Sequence, residues 1–242
     1  MRILVMILLF LITQLALAGA DYQREKKWAD EVVPGIVIGD PVYLELKNGH
    51  KFLTIFTDAK NAKVGVVVVH GIGVHPDWNL IGTLRTQLAE HGYTTLSIQM
   101  PVLSNEAQAG AYDALFPEAE ARLQLAEDFL RGKGYKKIAI VSHSMGSAMS
   151  MRYVKSRQAG LLAWVSAGLG RNNIYSGIHI PVLDLYGEND LPPVLGMAKN
   201  RAESLKVNAK SRQVMVPGSD HFMNNHEPEM MEAVTKFLDD LR

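Results

Sequence analysis

The sequence predicts an α/β fold: a mostly parallel central sheet, opened by an antiparallel hairpin, with helices on both faces. Three observations predict it. Residues 64–69 form a continuous apolar, β-branched run, the composition of a strand buried on both faces of a sheet. Strand-like and helix-like stretches alternate along the chain after it, the pattern of successive βαβ units. Ahead of it, Asn48-Gly49 separates two stretches of alternating polarity, 42–46 and 52–57, and Asn-Gly accepts the positive φ of a tight hairpin turn.

The elements follow in order. Residues 1–20 read apart from the rest. Arg2 supplies a positive start, 3–12 is an unbroken apolar run, and Ala16-Leu17-Ala18 and Ala18-Gly19-Ala20 offer small-x-small cleavage sites. The expectation is a cleaved secretory signal peptide over 1–20, followed by one domain over 21–242. The apolar run is short for a span and no basic cluster follows it, so no stable membrane anchor is expected after cleavage. The expected destination is the periplasm of a Gram-negative cell, or outside the cell. Residues 21–40, with Trp28 and Pro34, read as an arm lying on the domain. Beyond strand 64–69, residues 76–91 place Trp78, Ile81, Leu84, Leu88 and Ala89 at helical spacing, and Gly92 stops the helix. A strand over 93–98 leads to a long loop, 101–116, whose Leu103, Tyr112, Leu115 and Phe116 are expected to form an apolar wall. Residues 117–131 are helical, with Ala119, Leu123, Ala126 and Leu130 on one face. Strands over 138–141, 161–165, 180–186 and 213–216 and helices over 148–155, 194–206 and 227–241 complete the alternation.

Composition narrows the function. The length of 242 residues suits one α/β domain with one core. With 25 basic and 25 acidic residues, no charge excess calls for nucleic acid. The absence of cysteine excludes disulfides, thiolate catalysis and thiolate-bound metals. No histidine pair has zinc-ligand context, so neither a metal nor another cofactor is expected.

The chemistry collects at the strand ends, where ligands bind in such sheets. Strand 138–141 runs into Ser142-His143-Ser144-Met145-Gly146, a strand–turn–helix elbow that lifts Ser144 above the sheet edge. Its pattern is G-x-S-x-G with serine in place of the first glycine. Strand 64–69 ends in His70-Gly71-Ile72-Gly73, strand 180–186 in Gly187-Glu188-Asn189-Asp190, and strand 213–216 in Gly218-Ser219-Asp220-His221-Phe222. The chain order is therefore serine, acid, histidine.

Over essentially the whole chain after the leader, these motifs resemble the α/β-hydrolase superfamily. The stretch His70-Gly71-Ile72-Gly73-Val74-His75-Pro76-Asp77-Trp78 resembles an exported, poorly characterised proteobacterial group within it. The resemblance implies a triad of Ser144 as nucleophile, His221 as base and Asp190 as its orienting acid, chosen over Glu188 and Asp184 by its spacing from Gly187. It also implies an oxyanion hole from the backbone N–H groups of Ile72 and Met145. Only residues 166–179 lie where the superfamily inserts a lid, so a minimal lid and a shallow site are expected. The function expected is an exported serine hydrolase, most simply a carboxylesterase acting on a small-molecule acyl substrate. Its alternative is a catalytically vestigial binding or scaffold protein of the cell envelope, and a third reading is a peptidase or acyltransferase using the same residues. Arg171 is a candidate for selecting an anionic substrate. Oligomeric state is left open.

Overall fold

The computed structural model describes residues 19–242, so all but the last two residues of the expected leader lie outside the described residues. The stretch expected as an arm opens instead with helix α1 (Tyr22–Val32) and a 3₁₀ turn at Val33–Gly35. Asp21 caps α1 by accepting the Arg24 N–H at 3.0 Å. Only Glu25 and Ala29 of α1 are buried. Its apolar stripe is thus too thin to announce a helix, and it is held by polar contacts described below.

The expected hairpin forms from β1 (Asp40–Glu45) and β2 (Lys51–Thr57), with Glu45 opposite Lys51. Then come β3 (Val64–Val69), α2 (Asn79–Glu90), β4 (Thr94–Ile98) and α3 (Phe116–Gly132). The elbow joins β5 (Lys137–His143) to α4 (Met145–Arg157). The rest is β6 (Leu161–Ala167), β7 (Val182–Asn189), α5 (Pro192–Leu195), α6 (Ala198–Leu205), β8 (Arg212–Asp220) and α7 (Glu227–Asp239). The helix expected over 194–206 is divided, with Gly196 and Met197 between its two pieces.

The strands make one eight-stranded sheet in the order β1-β2-β4-β3-β5-β6-β7-β8. Strands β3 to β8 run parallel, and β2 is antiparallel to both its neighbours. The period of two along each strand divides the core into two layers. Val67, Val69, Ile138 and Ile140 face α3 and α4, meeting Leu123, Leu130 and Met149. Val64, Val66, Val68, Ala139 and Val141 face α2 and α7, meeting Ile81, Leu84, Val234 and Phe237. With both faces covered, the sheet's open chemistry is confined to its ends, and the elbow stands at the carboxyl end of a central strand.

One expectation about the cover is corrected. Residues 109–115 wind into a 3₁₀ segment, and Leu103, Tyr112 and Leu115 are buried in the α3/α4 layer, with the Tyr112 hydroxyl accepting the Leu103 N–H at 3.1 Å. Their apolar surface is spent on the core, and Phe116 packs half-buried against the same layer. The segment between β6 and β7 contains no helix among the described residues, in keeping with a minimal lid.

Candidate active site

Ser144 lies between β5 and α4 with φ 56° and ψ −121°, a conformation that costs roughly 1–3 kcal/mol for a residue with a side chain. The surroundings hold it there. Its N–H donates to the Ala167 carbonyl on β6 at 2.9 Å, and its carbonyl accepts the Ser147 N–H at 2.9 Å. Gly146 is needed because a β-carbon there would overlap the His70 carbonyl oxygen as α4 crosses the end of β3. The substituted position, Ser142, is fully buried. Its Oγ accepts the Trp164 Nε1–H at 2.8 Å and lies 3.1 Å from both Ser147 Oγ and the Val165 carbonyl oxygen. Where the usual pattern has glycine, this chain ties β5, β6 and α4 together with a hydroxyl.

The three residues proposed from the sequence meet. Ser144 Oγ is 3.0 Å from His221 Nε2, and His221 Nδ1 is 2.5 Å from Asp190 Oδ1. The carboxylate is an acceptor, so Nδ1 carries the proton and Nε2 is left to accept from Ser144. Asp190 is 4% exposed and is fixed by the Leu191 N–H at 2.7 Å and the Gly187 N–H at 3.2 Å. Its competitors are occupied elsewhere. Asp184 is fully buried and bonded to Arg201, Tyr175 and Gln213, while Glu188 is exposed and accepts the Gly218 N–H. Asp220 turns its own loop by accepting from the Phe222 N–H.

Two buried histidines steady the site. His143 Nε2 donates to the His221 carbonyl at 2.8 Å, so the elbow grips the backbone of the histidine loop. Burial lowers its pKa to about 4, with the facing His221 adding to the effect, which keeps it neutral. His70 Nε2 accepts the Met100 N–H at 2.8 Å, and this assigns the proton to Nδ1, which donates to the Gly71 carbonyl at 2.8 Å. Burial lowers the His70 pKa to about 3. Across a planar trans peptide, C=O and N–H point in opposite directions. Holding the Gly71 oxygen on His70 therefore aims the Ile72 N–H the other way. The loop lies against Ser144: a β-carbon on Gly71 would stand 3.2 Å from Ser144 Cβ. Met145 begins α4, so its N–H is among the first-turn donors that have no acceptor within the helix.

Four apolar side chains stand exposed on the loops that bear these residues and on the short helix α5 that follows Asp190: Ile72 at 38%, Leu191 at 49%, Leu195 at 38% and Phe222 at 41%. Phe222 packs edge-on against Trp78, 5.5 Å between rings. Sequence reasoning did not single out Leu191 and Leu195; the available signal was, for Leu191, an apolar residue directly after Asp190, and Leu195 left none. Arg171 is paired in a bidentate contact with Asp113 on the surface, linking the β6–β7 loop to the 3₁₀ segment. A cavity of about 710 Å³ between the hairpin, α3 and α4 is lined by residues such as Leu46, Gln124 and Tyr153 and by none of Ser144, Asp190 and His221.

Solved structures share this architecture. Est1E from Butyrivibrio proteoclasticus, with ferulic acid bound, is 17% identical, with 83% of this chain and 98% of that one covered at a TM-score of 0.70. A serine hydrolase without lid from Xanthomonas campestris is 14% identical, covering 85% and 95% at 0.68. The chain has the α/β-hydrolase fold. Dienelactone hydrolase from Anabaena variabilis is a further structural neighbour, 19% identical, with 84% of this chain and 99% of that one covered at a TM-score of 0.66. Residues 42–120 match a family described as "Protein of unknown function (DUF3530)". Among curated proteins, this chain is 27% identical over 187 residues to "Putative protein-lysine deacylase ABHD14B" of Pongo abelii, covering 75% of this chain and 84% of that protein.

Proposed function

We propose that the protein is a serine hydrolase, most simply a carboxylesterase, working through an acyl-enzyme on Ser144. The observation that carries the reading is the unbroken hydrogen-bond path from Ser144 through His221 to Asp190, built on a strained serine between strand and helix. In the proposed cycle, His221 Nε2 takes the Ser144 proton as Oγ attacks the acyl carbon. The imidazolium is stabilised by Asp190, and the oxyanion by the N–H groups of Ile72 and Met145. His221 then protonates the leaving group, water repeats the attack on the acyl-enzyme, and Ser144 recovers its proton. An acylated lysine amide is the second reading of the substrate, favoured by the name of the Pongo abelii relative. We further propose that the protein acts after export, in the periplasm or outside the cell, with residues 1–20 removed; the leader pattern supports this.

The test is covalent labelling by a fluorophosphonate, beside turnover of p-nitrophenyl acetate. Wild type is expected to label at Ser144, while Ser144→Ala and His221→Ala lose both labelling and turnover by about 10³-fold or more. A folded wild type that takes up no label above the Ser144→Ala background would leave the vestigial reading in possession. Ester turnover that survives Ser144→Ala would remove the nucleophile assignment.

A further inference from the structure

Helix α1 lies outside the sheet's alternating pattern, yet it is riveted to the domain beside the loop that holds Ile72. Its Glu25, 3% exposed, accepts from both Nη atoms of the fully buried Arg122 at 2.9 Å each and lies 2.9 Å from His50 Nε2. Arg122 also donates to the Gln99 carbonyl at 2.9 Å, and the adjacent Met100 is the residue whose N–H fixes His70. The Tyr22 hydroxyl donates to Glu118, and the Asp21 N–H to the Val102 carbonyl at 2.7 Å. The helix is therefore a fixed platform. From it, half-buried Arg24 spreads its guanidinium over Trp28 at 4.4 Å and donates from Nη1 to the Leu103 carbonyl at 2.5 Å and from Nη2 to the Gly73 carbonyl at 3.2 Å.

The two carbonyls on either side of Ile72 are thus both held: Gly71 O by His70 and Gly73 O by Arg24. His70 sets the orientation of the Gly71–Ile72 peptide. Arg24 pins the far side of the turn and ties it to the segment after β4. We propose that Arg24 is a positioning residue for the Ile72 N–H, so that the N-terminal helix is a working part of the oxyanion loop. The inference rests on the reading of Ser144 as nucleophile. A planar fork suits the place because two carbonyls on separate segments are met at once, a geometry that an ammonium on a flexible stem holds less firmly.

The consequence appears in the transition state. An oxyanion donor touches the substrate oxygen most strongly once it carries charge, so loosening it lowers kcat and leaves ground-state binding alone. Arg24→Met keeps the stem over Trp28 and removes both donors; Arg24→Lys keeps the charge. Both are compared with wild type, Ser144→Ala and Tyr22→Phe, which loosens the same helix without touching Arg24. With p-nitrophenyl acetate, Arg24→Met is expected to lose about 10- to 30-fold in kcat, a fraction of what deleting a donor outright costs, with KM within about twofold. Affinity for a phenylboronic acid, whose tetrahedral adduct presents an oxygen to the same donors, falls by a similar factor. Arg24→Lys recovers part of the loss, and Tyr22→Phe keeps wild-type kcat even where its melting temperature falls.

Wild-type kcat and boronate affinity in Arg24→Met would overturn the inference while leaving the hydrolase reading standing. So would a kcat loss that Tyr22→Phe reproduces in step with melting temperature, which marks a purely structural helix. If Arg24→Met does not fold, Arg24→Lys carries the comparison: a lowered kcat at unchanged KM supports the assignment and an unchanged kcat removes it. A wild type that takes up no fluorophosphonate fails at the earlier reading and takes this inference with it.

Discussion

Ser144 is held in its strained conformation by its neighbours, and Ser142 shows how far that restraint extends. A glycine at 142 would satisfy the usual elbow pattern but would leave the buried Trp164 N–H without its acceptor. An orphaned buried donor costs about 1–3 kcal/mol. Ser142→Gly is therefore expected to lower the unfolding free energy from urea titration by that amount while the folded protein keeps its kcat, since Ser144, His221 and Asp190 are untouched. A stability equal to wild type would show that water or a rotated side chain replaces the hydroxyl. The residue pattern was legible here: Ser144, Asp190 and His221 were named from their places after predicted strands, and their side chains meet. The selection of Asp190 over Asp184 rested on spacing alone. Its physical reason is that Arg201 and Tyr175 already occupy Asp184.

At the scale of elements, the β-branched strands and the hairpin were readable because burial on both faces and Asn-Gly turn chemistry leave local traces. Helix α1 left none. Two buried residues in eleven are too few for a periodic stripe, and its support comes from Arg122, almost a hundred residues away. The Glu25–Arg122 pair is inside the protein, so removing one partner strands the other charge. Glu25→Ala is expected to destabilise the protein by about 3–5 kcal/mol, read from chemical unfolding. A loss below about 1 kcal/mol would mean that Glu118, which also accepts from Arg122, is sufficient to hold that charge. The 101–116 loop teaches the same lesson from the other side. Its apolar residues were correctly noticed, but sequence cannot say whether an apolar side chain in a loop turns to the core or to the site, and here Tyr112 and Leu115 turn to the core.

The whole molecule carries a pH dependence from the two buried histidines at the carboxyl ends of β3 and β5. Both have an ordinary value of 6.5 and are lowered by burial, His70 to about 3 and His143 to about 4. Unfolded, they take protons near 6.5; folded, they refuse them until much lower. Their contribution to stability is therefore complete above pH 6.5 and is lost as pH falls toward 4 and then 3, each removing about 1.4 kcal/mol per pH unit. Unfolding free energies from urea titrations between pH 7.5 and 4.5 are expected to fall with this slope below pH 6.5, and those of His143→Gln to fall less steeply by about one proton. Equal slopes in the two proteins would show that His143 is protonated in the fold.

By itself, the sequence determined the class of fold, the alternation of strands and helices from the hairpin onward, and which serine, acid and histidine stand after the strands. Those properties depend on local composition and on position along the chain. The tertiary structure decided what no single stretch contains. It gave the Ser142 hydroxyl to Trp164, the backbone of His221 to His143, and the two carbonyls flanking Ile72 to His70 and Arg24. The physical reason is that a buried donor or acceptor must find a partner within about 3 Å, whatever the distance along the chain. Which partner it finds is settled only when the sheet has brought the strand ends together.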